Sequence, residues 1–458
     1  MPDTFLIRKC LAMCEDRLRM SLTRMDAFAT AHSTALLWVP GLLYKFVLDI
    51  LYIWSASPVY ARGGLVYHPN AIKYFIGTAM YFVLFAALPK REGDAVGILM
   101  HVQLAYTVAP MLSFYALADG SNRYIGMVFL CILLETVIIR RREKRKVTIH
   151  ITGVKNYVTV GLGVLTPFCI VIPILSNGFA GLKIFNFDYV YTLRAEATYP
   201  PGFSYIFGWF TNVVIPFAML YALEKKRWYL AVACIMLEVL FYMEVGNKYI
   251  LFLLVPVLLV YFAVKTGHML KLMYAGLCAM FAAVTLATAL DMFAANAFGE
   301  KLGSIIAVRA IFFPAMIKFD FYGCFSQLPK ICFSDGKIGR MLSLTYPYGA
   351  PSGYVINSYQ GFEWLGSNAN TGYLGEAYGQ AGFLGMLLMS AIFALILRAL
   401  KAYDSRENHA MVVSLFCVFI IILNDNAMLT TLLTSGMLLA FVLMFIYFDN
   451  LGEVQNAV

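Results

Sequence analysis

Apolar runs of about 20 residues recur along the whole chain, and runs of that length can cross a lipid bilayer as helices. Charged residues make up 13% of the 458 residues, about half of the fraction found in soluble domains. Mean hydropathy is +0.74. A membrane β-barrel would instead show short segments of alternating hydrophobicity. We therefore predict an all-α polytopic membrane protein with about twelve transmembrane helices.

Basic residues are concentrated in the loops that follow alternate spans. Examples are Lys90, Arg141, Lys225, Lys265 and Lys401. Cytoplasmic loops of membrane proteins carry such an excess, so the pattern predicts that both termini are cytoplasmic. The net charge of +9 then reflects topology, and nucleic acid is not an expected partner. The spans are predicted near 34–57, 71–89, 95–118, 123–139, 155–175, 203–223, 228–245, 248–265, 270–294, 376–398, 410–427 and 429–448.

This topology divides the chain into helical blocks and two long loops on the far side, which is the periplasm in a bacterial inner membrane. Loops longer than about 15 residues are uncommon without a function. The first residues are rich in charge and lack the apolar core of a signal peptide. The predicted parts are an amphipathic N-terminal segment (1–33), N-terminal helices (34–175), a first periplasmic loop (176–202), central helices (203–294), a large periplasmic loop (295–375) and C-terminal helices (376–458).

Motifs for nucleotide hydrolysis, metal-dependent catalysis and serine hydrolysis are missing from the sequence. The nine cysteines include no Cys-x-x-Cys pair, so redox or metal chemistry has no support. We predict no cofactor and no metal. Cys324 and Cys332 share the large loop, and an oxidising periplasm would allow a disulfide between them.

Four cations of the predicted outer segments, where Lys and Arg are usually depleted, are candidates for binding a substrate. They are Arg194, Lys248, Arg309 and Arg340. Cations just outside a bilayer suit a lipid-linked pyrophosphate, and guanidinium groups bind phosphate in a bidentate manner. The alternative is that they pair with acidic loop residues or reach toward lipid headgroups.

Aromatic residues are frequent in the same segments, and Tyr191 and Tyr322 are examples. Sugars stack on aromatic rings, although interfacial aromatic belts occur in every class of membrane protein. Within the spans, Lys45 and Asp49 are four residues apart and are predicted to pair. Glu135, Glu238, Asp291 and Asp425 have no obvious local partner, and such groups are either functional or part of helix packing.

Residues 367–388 read SNANTGYLGEAYGQAGFLGMLL. A polar, glycine-rich stretch passes directly into an apolar span, and it presents Asn370, Tyr373, Glu376 and Tyr378 as candidate glycan-binding groups. The spacing of Gly379, Gly382 and Gly385 predicts one small-residue face on a continuous helix, which favours close helix packing.

The sequence NTGYLGEAYGQAGFLG resembles a signature of the bacterial O-antigen polymerase and ligase superfamily. GNKYILFLLVPVLLVYF is similar to the family's Gly-x-Arg turn and following helix, with Lys248 where Arg is usual. RAIFFPAMIKFDFYGCFSQLP resembles the Arg-led segment of its large outer loop. Together these cover roughly residues 180–400. Ligases carry His-Asn before the Tyr-Leu, whereas this chain has Asn370-Thr371, which favours a polymerase.

The resemblance implies a GT-C-like fold and metal-independent glycosyl transfer at the periplasmic face. The growing glycan would move from undecaprenyl pyrophosphate to a new lipid-linked repeat unit, and a separate chain-length regulator would be a partner beside the membrane lipids. Arg194, Arg309 and Lys248, with Arg340, would bind the pyrophosphate, while Glu376 or Asp320 would accept the proton. Two alternatives stay open: an O-antigen ligase, and a flippase or transporter of lipid-linked oligosaccharide.

Overall fold

The computed structural model describes residues 37–141, 154–178, 196–247, 249–291, 297–361 and 369–448. These residues are mostly helical and contain no β-strand. The helices are α1 (Leu37–Gly63), α2 (Ala71–Ala87), α3 (Ala95–Leu117), α4 (Asn122–Arg140), α5 (Lys155–Asn177), α6 (Phe203–Glu224), α7 (Trp228–Val245), α8 (Tyr249–Lys265), α9 (Met269–Asp291), α10 (Phe298–Gln327), α11 (Lys337–Met341), α12 (Ser352–Tyr359), α13 (Tyr373–Leu400), α14 (His409–Asp425) and α15 (Met428–Tyr447).

Among the described residues, 10 helices are long and apolar enough to cross a membrane. α2, α8 and α14 are apolar but shorter. Each predicted span corresponds to one of these helices, so the prediction of a polytopic helical membrane protein is confirmed. One long apolar helix was not predicted: α10 lies inside the segment that the sequence analysis treated as the large loop (295–375).

Short polar residues define where several helices begin. The side chains of Asn70, Asp94 and Ser121 accept hydrogen bonds from the backbone N–H groups of the first turns of α2, α3 and α4. These N–H groups have no partner within their own helix, so each cap stabilises a helix by about 1 kcal/mol. Gly246 ends α7 with φ at 72°, a conformation in which glycine carries no Cβ penalty.

The loops that carry the basic residues meet at one end of the helix bundle, which we call the basic end. Lys401 Nζ donates to Ile139 O at 2.8 Å, and Lys265 pairs with Glu224 at 2.8 Å. His409 lies with one ring nitrogen 2.8 Å from the carbonyl oxygen of Glu92. The loops after α2, α4, α6, α8 and α13 therefore belong to the same end, as the alternation of charge predicts.

The apolar helix α10 lies across the other end of the bundle, which we call the opposite end. A Cβ on Gly299 would lie 2.1 Å from Ala287 O, near the last turn of α9. A Cβ on Gly120, in the turn between α3 and α4, would lie 2.8 Å from the Phe319 ring. The Tyr124 ring at the start of α4 stacks on Tyr322 at 5.2 Å.

Because α10 begins beside the end of α9 and ends beside the beginning of α4, both of its termini are at the opposite end. It packs over the bundle and does not run through it. For this reason α10 does not invert the helices that follow, and α13 still ends at the basic end. The described part of the large-loop segment is therefore helical in part, and α10 itself stays at the opposite end of the bundle.

In the described part of the chain, four helices contain π-helical segments, and each of these segments is followed within two residues by a proline. The prolines are Pro58, Pro110, Pro216 and Pro314. A proline inside a helix has no N–H to donate, and its ring clashes with the preceding turn. The wider π turn relieves that clash without ending the helix. One π segment, Ser304–Phe312, contains Arg309.

α13 is a helical hairpin and not one straight helix. Ala381 (φ −145°, ψ 26°) and Gly382 (φ 63°, ψ −149°) are non-helical, and they separate a first arm (residues 373–380) from a second arm (residues 383–400). In a continuous helix, residues 20 positions apart lie about 30 Å apart. Here the rings of Tyr373 and Phe393 are 5.4 Å apart, so the first arm folds back along the second.

The chain enters the bundle before the first arm in non-helical form at 369–372. A Cβ on Gly372 would lie 2.4 Å from Asn424 O, and one on Gly385 would lie 2.3 Å from Ala377 O. Both glycines are therefore needed for close approach of two backbones. Non-helical backbone at membrane depth is tolerated where protein surrounds it, and the packing around Gly372 meets that condition.

The glycine pattern was interpreted wrongly. Gly379, Gly382 and Gly385 do not share a face, because the helix reverses at Gly382.

The predicted pair within α1 is confirmed: Lys45 Nζ lies 2.6 Å from Asp49 Oδ1, and both side chains are buried. Cys324 and Cys332 are free thiols, the first buried and the second exposed, so the predicted disulfide is not formed in the structure.

Candidate functional site

A loop that follows α10 caps the end of the first arm of α13. We call residues 329–336 the cap loop. The N–H of Ile331 donates to Gly379 O at 3.0 Å, and the N–H of Cys332 donates to Gln380 O at 2.9 Å. These carbonyls lack helical partners because the helix breaks at Ala381. Cys332 and Phe333 adopt φ values of 54° and 60°, which turn consecutive N–H groups toward the arm.

Gln380 joins two carboxylates at this point. Its Nε2 donates to Glu376 Oε1 at 2.9 Å and to Asp335 Oδ1 at 3.1 Å. Its Oε1 accepts the N–H of Phe333 at 2.6 Å, which fixes the orientation of the amide. Glu376 is half-buried and Asp335 is exposed. The amide thus holds two carboxylates side by side at the opposite end of the bundle. We call Glu376, Gln380 and Asp335 the Gln380 cluster.

Aromatic rings form the neighbouring wall. Tyr322 lies 4.9 Å from Tyr378 and stacks on Phe383 at 6.1 Å between ring centroids. Phe383 is 36% exposed and Leu384 is 75% exposed. Since both begin the second arm of an apolar helix, this wall is open toward lipid.

Lys330 is the described cation that lies against this wall. Its Nζ is 4.3 Å from the centroid of the Tyr378 ring, within the range of a cation–π interaction, and it also donates to Phe325 O. Burial lowers the pKa of Lys330 from its usual value. A Cβ on Gly382 would lie 3.5 Å from Lys330 Cε, so the ammonium group sits at the turn of the hairpin. Sequence reasoning did not select Lys330.

The second candidate base, Asp320, lies on α10. Its Oδ2 accepts a hydrogen bond from Gln360 Nε2 at 2.5 Å, and Gln360 is the residue that follows α12. Among the described residues, Asp320 forms no ion pair. The structure therefore brings α12 against α10 through this carboxylate, and Asp320 is separate from the Gln380 cluster.

The two predicted cations that the structure describes, Arg309 and Arg340, lie outside the Gln380 cluster. Arg309 is exposed on α10, and at about 1.5 Å per residue it lies about 16 Å along the helix from Asp320. Arg340 is exposed beyond the cap loop. Arg194, Lys248 and the candidate glycan-binding residue Tyr191 lie outside the described residues. Of the predicted pyrophosphate-binding set, the structure thus positions two residues, and neither lies in the Gln380 cluster.

Of the other predicted glycan-binding residues, Asn370 is exposed and Tyr322 is half-buried in the aromatic wall. Tyr378 belongs to the same wall but is 6% exposed, so its ring packs behind Tyr322 and does not face outward. The prediction that Tyr373 binds a glycan is not supported by its position. Its side chain is 1% exposed, and its hydroxyl donates to Glu135 Oε1 at 2.8 Å inside the bundle. The hairpin turns Tyr373 away from the surface, so its side chain has no access to a glycan.

Two buried polar clusters support the hairpin. Gln103 Nε2 donates to Glu135 Oε2 at 2.9 Å and to the Tyr373 hydroxyl at 2.6 Å. Glu135, which has no obvious local partner in the sequence, thus finds its two partners on distant parts of the chain. Lys318 is fully buried, and its ammonium group donates to Asn424 O at 2.6 Å and to Asn424 Oδ1 at 3.0 Å. Sequence reasoning missed Lys318 because its partner is 106 residues away.

Acidic groups elsewhere in the bundle have other environments. Both carboxylate oxygens of Glu238 are buried without a hydrogen-bond partner among the described residues. Asp291 Oδ2 accepts the N–H of Glu300 at 2.8 Å. Within the described parts of the chain, no group of three His, Cys, Asp or Glu side chains forms a candidate metal site.

No protein-family model, no curated protein and no solved structure matches this chain.

Proposed function

We propose that this protein is a glycosyltransferase that polymerises lipid-linked oligosaccharide repeat units, as in O-antigen synthesis, at the periplasmic face of a bacterial inner membrane. The observation that carries the proposal is the helical hairpin of α13. It brings Glu376, Gln380 and Asp335 together beside an aromatic wall that opens toward lipid. A sugar attached to a lipid needs such a place, with proton acceptors and stacking rings next to the bilayer.

In the proposed reaction, a hydroxyl of the acceptor repeat unit attacks the anomeric carbon of the donor glycan. The bond from that carbon to the pyrophosphate oxygen breaks, and undecaprenyl pyrophosphate leaves with the bonding electrons. Glu376 accepts the hydroxyl proton, and Gln380 fixes its position. Tyr322, which is half-buried, offers the aromatic surface to the sugar, and the buried ring of Tyr378 packs against it.

The leaving pyrophosphate requires positive charge. Arg309 is exposed on the helix that crosses the opposite end, and Arg194 and Lys248 belong to the same proposed role. Lys330 is added because it lies at the turn of the hairpin, next to the proposed base. Preorganised cations of this kind stabilise the charge that develops in the transition state.

The direct test uses purified protein and lipid-linked repeat units in detergent with EDTA. We expect polymer from the wild type and a loss of at least about 100-fold in rate for Glu376→Gln. Glu300→Gln is the matched control, because Glu300 is an exposed carboxylate at the same end. Polymerisation by Glu376→Gln at the wild-type rate would exclude this base, and inactivation of the wild type by EDTA would exclude the metal-free mechanism.

A transporter or flippase of lipid-linked oligosaccharide is the second candidate. It is favoured by the first arm of α13, which re-enters the bundle, and by the buried charges of Lys318 and Glu135. Broken helices that line polar sites near the bilayer midplane are typical of transporters. A flippase moves substrate between two faces without elongating it, so the absence of any polymer in the detergent assay, with transfer of substrate across proteoliposomes, would favour this candidate.

A further inference from the structure

Apolar side chains are exposed in a turn that belongs to no membrane-crossing helix. Met341, Leu342 and Leu344 are 84%, 60% and 43% exposed. Met341 is the last residue of α11, and Leu342 and Leu344 follow it. The 5 residues of α11 are far too few to cross a bilayer. Arg340, next to them, is also exposed. Contiguous exposed apolar residues mark a surface that contacts a partner or a membrane.

The backbone presents these side chains in a defined way. The N–H of Leu344 donates to Gly339 O at 2.9 Å, and the N–H of Ser343 donates to Arg340 O at 3.2 Å. A Cβ on Gly339 would lie 2.4 Å from Ser334 Cα, so the turn packs directly on the cap loop. The apolar side chains are therefore exposed from a hydrogen-bonded turn that is packed on the protein.

The position of the turn is continuous with the lipid-facing surface. The cap loop contacts Gly382 through Lys330, and the next residues of α13, Phe383 and Leu384, are exposed on an apolar helix. The cap loop therefore lies at the rim where α13 meets the lipid. The turn is attached to the same loop through Gly339, so it lies along this rim.

From these observations we propose that residues 340–344 insert into the interfacial layer of the lipid leaflet at the opposite end. Met341, Leu342 and Leu344 enter the upper part of the acyl chains, and Arg340 contacts headgroup phosphates. Long cationic side chains at a membrane surface place the charge among the headgroups while the apolar residues are buried. The anchor holds the cap loop, and with it Asp335, at the level of the headgroups. This inference does not depend on the proposed enzymatic activity.

The test is tryptophan fluorescence in lipid nanodiscs, in which both faces of the bilayer are accessible to solutes. The emission spectra of Met341→Trp and Leu342→Trp are compared after subtraction of the wild-type spectrum, because the wild type has five tryptophans of its own. The matched control is Gly93→Trp, in a loop at the basic end where a Cβ meets nothing within 4 Å. We expect blue-shifted emission from both turn variants, with quenching by lipids brominated near the headgroup and protection from iodide. The tryptophan of Gly93→Trp should emit at longer wavelength, be quenched by iodide and be little affected by the brominated lipids.

Quenching of the turn variants by iodide, as for Gly93→Trp, would show that the turn faces water and would overturn the proposal. Protection from both quenchers would also overturn it, because the turn would then be covered by protein. Arg340→Glu gives an independent readout in the Leu342→Trp background. It should reduce bromolipid quenching, and the reduction should be larger when the nanodiscs contain anionic lipid. No effect of Arg340→Glu in either lipid would remove Arg340 from the anchor.

Discussion

Replacing Gly385 by alanine tests the hairpin of α13, because the hairpin and a straight helix predict opposite signs for the change in the free energy of unfolding. A Cβ at this position would lie 2.3 Å from Ala377 O and 3.0 Å from Ala381 Cβ. The first atom is backbone and has no rotamer to change, so the two arms must move apart. Forcing extra volume into a packed site costs about 1–3 kcal/mol. In a straight helix the same substitution would add up to about 1 kcal/mol of stability, because alanine favours helix more than glycine does.

The matched control is Gly276→Ala in α9, where a Cβ meets nothing within 4 Å. Reversible unfolding in mixed detergent micelles measures both variants against the wild type. We expect a lower free energy of unfolding for Gly385→Ala and an equal or higher one for Gly276→Ala. An increase in stability for Gly385→Ala that matches the control would refute the hairpin and restore one continuous helix.

Three further predictions concern the site and the topology. Gln380→Leu should reduce polymer formation because Glu376 and Asp335 lose their shared donor, whereas Gln327→Leu on the exposed end of α10 should have little effect; ladder gels of the surface polysaccharide compare them. If the Arg309 charge stabilises the leaving group in the transition state by about 3 kcal/mol, Arg309→Ala should lower the rate of polymerisation about 100-fold. Arg309→Lys should restore part of the lost rate. A near-wild-type rate for Arg309→Ala would exclude this role. Alkaline phosphatase fusions should be inactive at Lys226 and active at Ser352, and activity at Lys226 would reverse the proposed orientation.

Hydropathy predicted the helices well because each predicted span is a run of apolar residues, and that property is local. The same locality explains why the Lys45–Asp49 pair was predicted correctly, since its members are one helical turn apart. α10 was missed because its apolar run contains Arg309, Lys318 and Asp320, which made the segment resemble a loop. Hydropathy also does not report the orientation of a helix axis, so it does not distinguish a helix that crosses the bundle from one that lies over its end.

The site was predicted in part, and the errors have one physical origin. Glu376 is half-buried beside the aromatic wall, and Tyr378 is a buried member of that wall. Tyr373, three residues before Glu376, is buried deeper in the bundle against Glu135. In a straight helix beginning at the membrane surface, all three would be near the mouth. The reversal at Gly382 sends the start of the first arm into the bundle, and that reversal depends on contacts with the cap loop that are distant in sequence. Gln380, Asp335 and Lys330 were not selected because only those contacts bring them together.

The three glycines near the hairpin show how one sequence pattern has two physical explanations. Regular spacing at i, i+3 suits a small-residue face for helix packing, and here that explanation is wrong. Gly382 has φ 63° and ψ −149°, a region that is almost restricted to glycine, so it makes the turn. Gly385 permits the second arm to approach the carbonyl of Ala377, and Gly379 lies against the Phe325 ring, with 3.1 Å between a Cβ position and that ring. Each glycine therefore has a separate steric cause, and the hairpin follows from the turn together with the two close approaches.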